Sequence, residues 1–175
     1  MKFEYIPVPK SNKTKKIATC FFFGGLILFV LGGVKMIPYN SVIQFAAVAS
    51  FTTSILLVGR FLLRSYAYRI EDMGEGDELF VDEITRKARF SVCRLEMKKL
   101  VAIYDRKTLS KEEKSKKHYN YCPDAFASDS YILEFVDSSY DITAERIRVR
   151  IQPDEKLLAM LTEAAKANAE AQKEN

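Results

Sequence analysis

Two stretches decide the architecture of this chain: Ile17–Val34, IATCFFFGGLILFVLGGV, and Ser41–Gly59, SVIQFAAVASFTTSILLVG. Neither contains Asp, Glu, Lys or Arg. At about 1.5 Å of rise per helical residue, each spans roughly 27–29 Å, close to the thickness of a bilayer's hydrocarbon core. A chain of 175 residues has too little other material to bury two such helices in a protein core. The expected reading is therefore two membrane crossings within residues 17–63. A cleaved leader fits less well. The first apolar stretch is too long for one, sixteen residues precede it, and no small-x-small cleavage site follows.

The link between the stretches, residues 35–40, is short and holds Pro38 and Asn40, which suit a turn. An antiparallel hairpin follows, with both ends of the chain on one side. Basic residues choose the side. Lys2, Lys10, Lys13, Lys15 and Lys16 precede the first stretch, and Arg60 and Arg64 close the second, whereas the link holds only Lys35. Cytoplasmic flanks concentrate Lys and Arg, so both ends are expected in the cytoplasm of a multi-pass cell-membrane protein. Lys10, Lys13, Lys15, Lys16, Arg60 and Arg64 are also candidates for holding anionic headgroups, at about 1 kcal/mol per cation near the surface. Topology signals alone would explain them equally.

Helices in lipid pair through small residues that allow close backbone approach. Gly25 and Gly32 offer such a face on the first helix, and Ala46, Ala49, Ser50 and Thr53 one on the second. Gln44 is placed either to hydrogen-bond across the pair or to reach water. No ionisable residue lies mid-span, which argues against an ion or proton pathway.

Charge divides with the architecture. Residues 1–63 hold seven Lys and Arg and one acid, of 27 and 23 in the whole chain, leaving 20 against 22 from Arg64 onward. The basicity belongs to the membrane-proximal part, which argues against a nucleic-acid binder. Three cysteines without regular spacing (Cys20, Cys93 and Cys122) form no disulfide framework.

Beyond Arg64 the pattern changes to alternation. Strands are expected near residues 66–70, 79–84, 88–95, 100–104, 118–122, 131–135 and 147–151. The last is the clearest: Ile147, Val149 and Ile151 face one way, Arg146, Arg148 and Arg150 the other. Pro153 suits the first turn of a closing helix with an apolar stripe of Leu157, Leu158 and Leu161, and a polar tail, 167–175, follows. The N-terminal tail, 1–16, with Phe3, Tyr5 and Val8, is expected either along the bilayer interface or at a sheet edge.

The segment ERIRVRIQPDEKLLAML, Glu145–Leu161, with SYILEF, Ser130–Phe135, before it, resembles the bacterial pleckstrin-homology-like domains, which often follow a pair of membrane helices. The resemblance covers roughly residues 65–166. It implies a membrane α-hairpin plus a mainly-β (α+β) domain: a seven-stranded antiparallel sandwich, or partly open barrel, closed by a C-terminal helix. This chain lacks the tryptophan that eukaryotic members usually carry in that helix.

The candidate chemistry is sparse. A phosphoinositide site would need cations between the first two strands, but that loop holds Glu71, Asp72, Glu75, Asp77 and Glu78, which repel phosphate. Those carboxylates also lack the spacing of a calcium loop. His118 and Cys122 are too few for a structural zinc site. No P-loop, dinucleotide fingerprint or G-x-S-x-G elbow occurs. The expectation is a chain without catalytic residues, metal or cofactor. It would touch the lipid bilayer and a protein partner or a second copy, with Arg146, Arg148 and Arg150 as the candidate partner surface. The alternative is an accessory subunit of a transport or envelope-stress complex acting through its helices.

Overall fold

The computed structural model describes residues 2–9, 12–34, 39–74, 76–86, 88–137 and 145–174. Lys10, part of the link 35–40 and Glu75 lie outside them. The chain forms two compact units. One comprises Met1–Val8, Ser65–Pro123 and Ala127–Asn175; the other comprises Pro9–Arg64 and Asp124–Phe126.

The first unit is built of strands. Its first sheet has the order β1 (Phe3–Tyr5), β2 (Ser65–Asp72), β3 (Asp77–Thr85), β4 (Ala88–Glu96), all antiparallel. Phe3–Tyr5 thus take a sheet edge, Phe3 opposite Ile70 and Tyr5 opposite Tyr68. The β2–β3 turn needs its glycines: Gly74 and Gly76 adopt φ of +83° and +137°, where side chains are strained. In β4, Cys93 faces Val81 while Ser91 faces Asp82, so Val92 is an inserted, bulged residue.

A 3-10 turn, Met97–Lys99, leads into the second sheet, of order β5 (Leu100–Asp105), β7 (Tyr131–Asp137), β8 (Glu145–Ile151), β6 (Tyr119–Asn120). A short helix, α3 (Lys111–Ser115), lies in the connection from β5 to β6. The β6–β8 pair is parallel, and eight strands are present where seven antiparallel ones are expected. The extra strand comes from the N-terminal segment, and β6 is only two residues long. Among the described residues the sheets do not close into a barrel.

The core packs alternate residues of β2, β3, β7 and β8: Tyr68, Ile70, Leu79, Val81, Leu133, Phe135, Val149 and Ile151. The C-terminal helix, α4 (Glu155–Glu174), adds Leu157 and Leu161. Asp154 rather than Pro153 stands at its entry, accepting the Leu157 N–H at 2.8 Å as an N-cap. The helix also runs through the expected polar tail. Asn168 donates to the carbonyls of Met97 and Leu100, both at 2.8 Å, which ties a late turn to the second sheet. Tyr68 is fully buried, yet its hydroxyl is satisfied twice: it donates to Tyr121 O at 2.8 Å and accepts from Gln152 N–H at 3.2 Å. Burial pushes this phenol well above its ordinary pKa, so it remains a neutral donor.

The second unit is an antiparallel pair, α1 (Lys13–Gly32) and α2 (Asn40–Leu57), with α2 prolonged by a π-helical turn, Val58–Leu62. Both helices are long and apolar enough to cross a membrane. Their apolar side chains mostly point outward: Phe22, Phe23, Ile27, Phe29, Val30, Phe45, Val48, Ile55 and Leu56 are all exposed. Core helices of a water-soluble protein would hide these residues.

Candidate functional site

The helix seam is made from small and polar residues at heptad-like spacing. Ala18, Gly25 and Gly32 on α1 are buried, as are Ala47 and Ser54 on α2. A Cβ on Gly25 would lie 3.3 Å from both Phe51 and Ser50. One on Gly32 would lie 2.7 Å from Gln44 Cγ. Three side chains of α2 reach across to main-chain carbonyls of α1: Gln44 Nε2 to Gly32 O at 2.9 Å, Ser50 Oγ to Phe21 O at 2.9 Å, and Ser54 Oγ to Ala18 O at 2.8 Å.

Of the expected packing face on α2, Ser50 lies in this seam, whereas Ala46 and Ala49 are exposed. Thr53 bonds back to Ala49 O within its own helix, at 2.8 Å. The seam runs along Gln44, Ala47, Ser50 and Ser54, one residue (about 100°) round the helix from the smallest side chains. Size alone marks several faces of this helix. The decisive signal is which hydroxyl and amide groups find carbonyls across the pair.

Cations gather at one end of the pair. Lys13, Lys15 and Lys16 stand in the first turn of α1, Arg60 in the π-helical turn, and Arg64 just beyond it. No acidic residue of α1 balances them, and cations are unfavourable at a helix N-terminus. The segment Asp124–Phe126, which belongs to this unit, brings a carboxylate there: buried Asp124 accepts from the buried Thr14 hydroxyl and from Phe126 N–H. Sequence patterning gives no sign of this contact. A groove of about 500 Å³ runs along Asn12, Lys15, Lys16, Thr19, Cys20 and Phe23, with amines at one end and apolar walls at the other.

In the strand unit the arginine row of β8 is largely internal. Arg150 is only 3% exposed, donating to Ser130 Oγ and Ala127 O, both at 3.0 Å. Arg148 donates to Glu134 at 2.9 Å and Glu113 at 2.8 Å. Arg146, which is exposed, donates to Glu134 at 2.6 Å. Glu134 is fully buried between the last two. The expected open stripe is thus reduced to Arg146, because alternation reports a residue's face but not the β5–β7 connection that covers it. Lys116 and then Arg148 hold the Glu113 carboxyl below its ordinary pKa. Burial pushes Tyr121, beside Cys93, up to about 12. Both shifts follow from structural pairing and burial. Among the described residues no three of His, Cys, Asp and Glu converge as metal ligands.

Comparison with protein-family models, curated proteins and solved structures finds no match to this chain.

Proposed function

We propose that this chain is a membrane-anchored, non-enzymatic interaction module whose helical pair crosses a cell membrane twice and holds a pleckstrin-homology-like domain at the cytoplasmic face. The observation that carries this reading is the character of the helical unit: its large apolar side chains mostly point outward, while Gln44, Ser50 and Ser54 of one helix close on carbonyls of the other. That arrangement matches lipid as the surrounding solvent. The end rich in Lys and Arg supports the cytoplasmic orientation. Two sheets followed by a C-terminal helix support the domain assignment, with β1 and the parallel β6 as departures from it. Anchoring raises the effective concentration of the domain for partners at the same surface.

A second reading, an accessory subunit acting through its helices, draws on Ala46 and Ala49. These small residues stay exposed after the seam has formed and leave a face open to another helix. Purification from native membranes with cross-linking and mass spectrometry tests the first reading. A reproducible partner cross-linked to the strand unit supports it, and recovery of isolated monomers alone counts against it. Replacing Ala46 and Ala49 by leucine separates the two readings: loss of the partner with the strand unit still folded favours the second.

A further inference from the structure

We propose that the end of the first sheet carrying the β3–β4 turn is an additional membrane contact, seated on anionic phospholipid headgroups. This inference rests on the membrane reading above. Strand register fixes which residues share that end. Ser65, the first residue of β2, lies opposite Ile84, and Thr85 lies opposite Ala88, with Arg86 in the turn between them. β1 runs toward the same end, so both chain links to the helical unit leave there, one after Val8 and one before Ser65. Only Leu63 and Arg64 separate Ser65 from the end of the π-helical turn at Leu62. That is at most about 10 Å of chain, comparable with a headgroup layer of roughly 5–8 Å per leaflet.

The residues at this end have interfacial chemistry. Val8 is 71% exposed and Phe90 61%, with Ile6 also open. Arg86 is exposed. From Thr85 to Val92 the sequence TRKARFSV holds three cations and no carboxylate. Of the acids of neighbouring strands, Glu4 and Asp82 are bridged by Arg89, and Glu83 accepts the Thr85 hydroxyl without a change in its charge. The other end of the sheet has the opposite character. The turn Glu71–Glu78 holds five carboxylates and no cation of its own, with Lys2 pairing Asp77 and Asp72, Arg69 pairing Glu71 and Arg94 pairing Glu78 from the strands. The β3–β4 turn itself is cationic where the β2–β3 turn is acidic, so an anionic surface favours the first. Aromatic and aliphatic side chains beside cations are the composition that settles at a bilayer interface.

The chain has no tryptophan, so single tryptophans report position without background. Full-length Phe90→Trp, Met73→Trp and Phe45→Trp variants, all at exposed sites, are placed in nanodiscs of phosphatidylcholine with or without phosphatidylglycerol, carrying brominated quencher lipid. The Phe90→Trp protein is expected to lose most of its emission and shift to the blue, more with phosphatidylglycerol than without. Met73→Trp, on the acidic turn, is expected to stay unquenched. Adding Arg86→Asn, which suits the turn's φ of +53°, removes the dependence on phosphatidylglycerol. If Phe45→Trp is quenched but Phe90→Trp is as exposed as Met73→Trp, this inference fails, the membrane reading stands, and the apolar rim serves a protein. Equal quenching of Phe90→Trp in both lipids overturns the choice of anionic headgroups. If Phe45→Trp is not quenched, both readings fail.

Discussion

The two units of this chain solve the same problem, a polar group out of water, in opposite ways. Between the two helices the side chains that bridge the seam are neutral, and each closes on a carbonyl: Gln44, Ser50 and Ser54. Thr52 and Thr53 close on carbonyls one turn back in their own helix. In the strand unit the buried polar groups are charged: Glu134 between Arg146 and Arg148, and Asp82 between Arg69 and Arg89. Water beside the second unit lets a partly exposed arginine hold a buried carboxylate. Lipid around the first would make any such charge costly. The apolar residues follow the same inversion, outward in one unit and inward in the other.

The largest test of this contrast exchanges aromatic residues for alanine. Phe135→Ala, in the strand core, is expected to destabilise that unit by about 3–5 kcal/mol. Phe45→Ala, outward on α2, should leave both units intact. Thermal unfolding of detergent-solubilised protein reads both, and similar losses would break the comparison. Next comes polar closure. Glu134→Gln weakens the bond to two arginines and is expected to cost about 1–3 kcal/mol. Ser54→Ala loses one neutral seam bond, at roughly 0.6 kcal/mol as is usual in membranes. Equal costs would mean that the two interiors do not differ in kind.

The seam sharpens the contrast further. Gly32→Ala puts a Cβ against Gln44 and is expected to weaken helix pairing by about 1–3 kcal/mol, whereas the Cβ of Gly24→Ala meets nothing within 4 Å and should be silent. Interhelical cross-linking yields measure both. The smallest effect expected is that of pH. Glu78, held low by Arg94, Glu96, held low by Lys99 and Lys98, and Glu113, held low by Lys116 and Arg148, all have depressed folded pKa values. Their stabilisation is full above the ordinary glutamate value of 4.5 and is lost as pH falls through the lowered folded values. Acid should therefore lower the unfolding midpoint of the strand unit and leave helix cross-linking unchanged.

Much of this was legible in the chain itself. The two apolar runs announce the helices, and the Ile147, Val149, Ile151 alternation announces β8 and the face it buries. Three features were beyond reach for physical reasons. The choice of the sheet edge over the bilayer interface for Phe3 and Tyr5 is one, because three residues are too short to show a period and their partner strand lies some sixty residues on. The rotation of the α2 seam depends on which carbonyls lie opposite Ser50 and Ser54, a property of the pair and not of one helix. The burial of Arg150 depends on Ala127 and Ser130, in a connection without periodicity.

The β1–β2 ladder has a consequence for biosynthesis. Phe3–Tyr5 are made before either apolar run, and their partners Tyr68–Ile70 after both. If the helical pair crosses a bilayer as proposed, these segments can meet only when the intervening chain crosses it an even number of times. A nascent chain with one run left uninserted would strand its first residues on the wrong side, with a sheet one strand short. Completing that ladder thus acts as a parity check on insertion, written into three residues of backbone pairing.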